Sequence, residues 1–112
     1  MNDCNLSSTP IVGTELKLNI NIEPLDGNHM ANYDFTVDLY CSSKNVLSFK
    51  KGDSELINID QDNYIVLVDT SKVGTGALKC RVTAYLPDTQ FPNGTRTEII
   101  ILNTGINILR NL

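Results

Sequence analysis

Hydrophobic and polar positions alternate along most of this chain. The cleanest alternation comes first: Leu16, Leu18, Ile20 and Ile22 are interleaved with Lys17, Asn19, Asn21 and Glu23. A period of two predicts a strand with one dry and one wet face. Pro24 stops it, and Asp26-Gly27-Asn28 reads as a turn. A second alternation sets Phe35, Val37, Leu39 and Cys41 against Asp34, Thr36, Asp38 and Tyr40. Short strands follow over Val46–Phe49 and Leu56–Ile59, separated by a turn at Lys51-Gly52-Asp53. The polar turn Asp60-Gln61-Asp62-Asn63 leads into Tyr64–Val68, which is apolar at consecutive positions and so predicts a central strand covered on both faces.

Asp69-Thr70-Ser71-Lys72-Val73-Gly74 predicts one helical turn, started by Asp69 or Thr70 and closed by Gly74. A long strand comes next, with Leu78, Cys80, Val82, Ala84 and Leu86 on one face and Lys79, Arg81, Thr83 and Tyr85 on the other. Pro92-Asn93-Gly94 marks a hairpin tip, Thr97–Leu102 returns as partner, and Gly105 is expected to break the chain before a last run, Ile106–Leu109. Seven or eight strands with turn signals between them and no helical period predict an all-β fold, an immunoglobulin-like antiparallel β-sandwich. Residues 1–10 are polar and end at Pro10, which reads as a flexible arm preceding a sandwich domain over 11–112.

Composition agrees with strands. Ile, Leu and Val number 11, 13 and 7 against three Ala, in a chain of 112 residues that one core can hold together. The net charge is −4 and the nine Lys and Arg are scattered, so no basic face is available for nucleic acid. No apolar run approaches the length of a transmembrane helix, which excludes a membrane span of that kind. Met1–Asn5 shows neither the basic region nor the apolar stretch of a signal peptide, so synthesis in a cytoplasm is expected.

Reactive chemistry is sparse. Cys4, Cys41 and Cys80 lie far apart with no Cys-x-x-Cys, and with a single histidine they make no zinc set. Cys41 and Cys80 are expected as buried free thiols, an inter-sheet disulfide being the alternative. Asp60-x-Asp62-Asn63 matches the opening of a calcium loop, but the glycine and closing glutamate are missing, so a solvated turn is the better reading. His29 has no nucleophile beside it. Asp34 and Asp38 share a strand face, as a glycosidase pair would need, yet the wet face of an alternating strand carries carboxylates for solubility alone. Asn5-Leu6-Ser7 and Asn93-Gly94-Thr95 fit the glycosylation pattern by chance. No catalytic residue, metal ligand or cofactor is assigned.

Two segments have the makings of a contact surface. Phe91, Pro92 and Arg96 flank the hairpin tip, where an aromatic and a cation can anchor an interface, although Phe91 can also fold back on the sandwich rim. Ile106, Ile108 and Leu109 can either close the sheet or leave an apolar edge for another chain.

A wider pattern joins these stretches. Gly13-Thr14-Glu15-Leu16-Lys17-Leu18, Tyr33-Asp34-Phe35, Asp62-Asn63-Tyr64-Ile65-Val66 and Asp69-Thr70-Ser71 precede the most distinctive segment, Arg81-Val82-Thr83-Ala84-Tyr85-Leu86-Pro87-Asp88. Phe91-Pro92-Asn93-Gly94-Thr95-Arg96-Thr97-Glu98 and Thr104-Gly105-Ile106 complete it. Together they resemble small virion proteins of Bacteroides phages and prophages, in particular the head-fibre proteins of crAss-like phages. The order of elements is also similar, more loosely, to the N-terminal domain of phage upper baseplate proteins. The resemblance implies a non-enzymatic structural subunit that decorates the particle as a homodimer or small homo-oligomer and touches other virion proteins. Its location would be the virion, after synthesis in the host bacterium. A glycan-binding module for host attachment is the alternative, with Phe91 or Tyr85 as the stacking aromatic.

Overall fold

The computed structural model describes residues 9–23, 29–42 and 44–111. Seven strands form: β1 Glu15–Asn21, β2 Asp34–Tyr40, β3 Val46–Lys50, β4 Leu56–Asn58, β5 Asn63–Asp69, β6 Gly76–Pro87 and β7 Thr95–Ile108. Single 3-10 turns at Met30–Asn32 and Thr70–Lys72 are the only helical elements among the described residues. All strand pairing is antiparallel, in a three-stranded sheet of order β1-β5-β4 and a four-stranded sheet of order β3-β2-β6-β7. This is the B-E-D and C′-C-F-G arrangement of an immunoglobulin sandwich.

Alternation explains the core. Leu18 and Ile20 of β1 and Tyr64, Val66 and Val68 of β5 turn inward from the first sheet. Phe35, Val37 and Leu39 of β2 meet them from the second, with every second residue of β6 from Leu78 to Leu86. Each fully buried side chain of this size contributes roughly 1.5–3 kcal/mol. The Phe35 and Tyr64 rings close the space between sheets edge to face, with centroids 5.1 Å apart.

Two local expectations change, and one open choice is decided. β5 is central in its sheet, as its apolar run implies, but no third layer covers it among the described residues, and Ile65 and Leu67 on its outer face are only half-buried. Gly105 does not break the chain. β7 runs through it, and two extra residues are accommodated between the pairs Lys79↔Asn103 and Ala77↔Asn107. A single extra residue would turn every later side chain to the other face; two preserve the parity, so Ile106 and Ile108 still point inward. Asp69, rather than Thr70, caps the helical turn by accepting from the Ser71 N–H at 3.0 Å.

The start of the described chain is fastened to its end. Ile11 and Leu109 form a parallel bridge in which the Leu109 N–H donates to the Pro10 carbonyl at 2.9 Å and the Val12 N–H to the Leu109 carbonyl at 2.8 Å. Pro10 is thus part of the fold. Residues 1–8 of the expected arm and the expected Asp26-Gly27-Asn28 turn lie outside the described residues.

Candidate functional site

The register across the four-stranded sheet fixes its outer face row by row. Asp34, Tyr85 and Thr97 stand side by side, then Lys50, Thr36, Thr83 and Ile99, then Ser48, Asp38, Arg81 and Ile101. Its middle is polar and internally paired. Arg81 donates from Nε and Nη2 to one Asp38 oxygen at 3.1 and 2.8 Å and lies over the Tyr40 ring at 5.6 Å. Ser48 donates to the other Asp38 oxygen at 2.7 Å. This pairing raises the Arg81 pKa, first through the hydrogen bond and then through the carboxylate's charge. Asp38 is therefore held in a structural ion pair, and Asp34 lies apart from it beside Tyr85.

At the β7 border the face turns apolar. Ile99 and Ile101 are 63% and 56% exposed, the most exposed large hydrophobic side chains among the described residues, and Tyr85 beside them is 39% exposed. β7 is also the last strand of its sheet. The Asp88 N–H donates to the Gly94 carbonyl at 2.9 Å, and these residues lie opposite each other one step beyond the pair Pro87↔Thr95. Since bonded and non-bonded pairs alternate in an antiparallel ladder, Arg96, Glu98, Ile100 and Leu102 bond to β6. The N–H and C=O groups of Thr97, Ile99, Ile101 and Asn103 consequently face the open side, where no described strand pairs with them.

The expected contact residues are divided by the fold. Phe91 is 45% exposed in the 88–94 turn, where its N–H donates to Asp88 O and its carbonyl accepts from Gly94 N–H. Pro92 is exposed beside it. Arg96 does not present a free cation: it reaches Asp88 through Nε at 3.3 Å and Glu98 through Nη1 at 2.6 Å. Glu98 is buried, and its second oxygen has no hydrogen-bond partner. Ile106 packs against the core and Ile108 belongs to it at 1% exposed, opposite Gly76. Both close the sheet, and of these three candidates Leu109 alone is exposed, at 44%. Reading the sequence missed Ile99 and Ile101, because the run Ile99-Ile100-Ile101-Leu102 is apolar on both faces and conceals which one is covered.

The remaining polar groups are engaged in holding turns. Asp60 accepts from the N–H groups of Asp62 and Asn63 and from the Asn63 side chain, and these bonds lower its pKa. Asp62 accepts from the Met30 N–H at 3.0 Å and lies 3.0 Å from His29 Nδ1, which lowers its pKa in that order of effect. Cys41 and Cys80 are both free thiols. Burial, helped by the charge of Asp38, pushes the Cys80 pKa up to about 12, so it remains protonated and unreactive at neutral pH.

Fold and surface together define an immunoglobulin-like β-sandwich whose most distinctive external feature is an apolar edge strand that no other described strand pairs on its open side. Comparison of the chain with protein-family models, with curated proteins and with solved structures returned no match. Among the described residues, no helix is long and apolar enough to cross a membrane.

Proposed function

We propose that this chain is a non-enzymatic structural subunit of a tailed-phage particle, a head-fibre or capsid-decoration protein that works through protein–protein contacts. The observation that carries the contact role is β7: fourteen residues long, at a sheet edge, with Ile99 and Ile101 exposed beside its open backbone groups. Monomeric proteins blunt such edges with lysine, proline or a covering segment, because an open apolar edge recruits another chain. Over Thr97–Asn103 β7 has none of these among the described residues. The assignment to a phage particle rests on the sequence resemblance. A repeated assembly suits a subunit of this kind, since many modest contacts combine into tight attachment.

Mass spectrometry of purified particles, followed by cryo-microscopy of the same particles, tests the reading. The chain is expected among the structural components, with density for a small sandwich on the head. Its absence from particles overturns the proposal, and density at the tail moves it to a baseplate role.

One feature favours glycan attachment as a second reading. Tyr85 borders a shallow groove shared with Asp34, Thr36 and Lys50 on the outer face, an aromatic surface ringed by polar groups. Glycan-array binding that disappears in Tyr85→Ala would support it.

A further inference from the structure

We infer that the partner of the β7 edge is a second copy of this chain, paired antiparallel to it about a two-fold axis at Ile100. The inference rests on the contact role argued above and specifies its partner and register.

The outer face of β7 has a pattern symmetric about Ile100. Thr97 and Asn103 are its polar ends, Ile99 and Ile101 flank the centre on the outer face, and Glu98 and Leu102 do so on the inner face. Pairing about Ile100 sets Ile99 of each copy opposite Ile101 of the other, and Thr97 opposite Asn103. These are the residues whose backbone groups face the open side, where no described strand pairs with them, so each would gain two ladder bonds. Ile100, half-buried at the sandwich rim, would meet its own copy on the inner face.

Charge permits this register. Arg96 would face Thr104 and Glu98 would face Leu102, so no like charges oppose each other. Arg96 is already paired with Asp88 and Glu98, and Glu98 is already only 8% exposed, so pairing buries little additional charge. The other sheet edges are guarded: β1 carries Glu15 and Lys17, β3 ends in Lys50, and β4 has three residues. Self-pairing of one edge also closes at two subunits, whereas pairing β7 with a different edge would build a ring or an open filament.

Sedimentation velocity of the purified full chain over a micromolar concentration series, with circular dichroism as the check on folding, tests the inference. The unmodified chain is expected to be a dimer. Ile99→Lys with Ile101→Lys puts lysine opposite lysine at both outer pairs and should raise the dimer Kd at least about a hundredfold while the strand signal persists. Ile99→Lys with Ile101→Glu puts opposite charges face to face in this register alone, and should restore the dimer with a new sensitivity to salt. A monomeric unmodified chain, or a dimer that survives the double lysine change, overturns the interface. A folded monomer in the Lys–Glu variant overturns the register. A monomeric chain still found in particles would remove this dimer and leave the particle reading standing; intact dimers absent from particles would do the reverse.

Discussion

Thr70 is fully buried, and its hydroxyl is used twice: it donates to the Thr14 carbonyl at 2.7 Å and accepts from the Gly13 N–H at 2.8 Å. A hydroxyl can do both because it carries one proton and two lone pairs. The side chain thereby fastens the lead-in to β1 onto the turn that follows β5, while Asp69 next to it caps that turn. In the sequence both residues look equally fit to be the cap; only the long-range partner separates their roles. Thr70→Val keeps the shape and removes both side-chain bonds: the Gly13 N–H loses its partner, and the Thr14 carbonyl keeps only the Thr70 N–H at 3.2 Å. It should lower the unfolding free energy by about 1–3 kcal/mol, measurable by urea denaturation, with the strand signal retained below the transition. A loss no larger than that of an exposed control such as Thr75→Val would contradict the role assigned to it.

Individual strands were legible in proportion to the contrast between their faces. β1, β2 and β6 have one wet and one dry side, and the alternation places each of them within a residue or two. β5 and the middle of β7 are apolar on both sides, so the sequence marks a strand without saying what covers it. The two resolve oppositely: β5 sits between β1 and β4, whereas β7 is an edge with Ile99 and Ile101 in water. Ile108 was equally ambiguous, because an apolar residue late in a strand is core or contact according to a register that only pairing with Gly76 decides. Gly105 was misread because glycine signals both a stop and a bulge. Its φ of +72° is what the bulge requires, and an added Cβ would meet no atom within 4 Å. Gly105→Ala should therefore cost about 1–2 kcal/mol, from backbone conformation alone, read as a lower urea midpoint with an unchanged slope. A cost near zero would show that the bulge tolerates a side chain.

At the scale of the molecule, both ends of the central strand β5 are tied by carboxylates. Asp60 and Asp62 hold its start and the Met30–Asn32 turn, and Asp69 holds its end. Hydrogen bonds lower all three pKa values below the ordinary carboxylate range. A depressed pKa stabilises the fold above the unfolded value, near 4, and that contribution is lost as pH falls through the folded values. Thermal stability should hold from neutral pH to about 4–5 and then decline, with a shallower decline in Asp62→Asn. An acid profile identical in that variant would assign the decline to other groups. The Ile11–Leu109 bridge has a consequence of a different kind, a mechanical one. Tension drawing residue 10 and residue 109 apart runs along two parallel segments in opposite senses, so it loads their two hydrogen bonds in shear, together rather than one after the other. A molecule pulled from those two points would meet resistance first at this bridge.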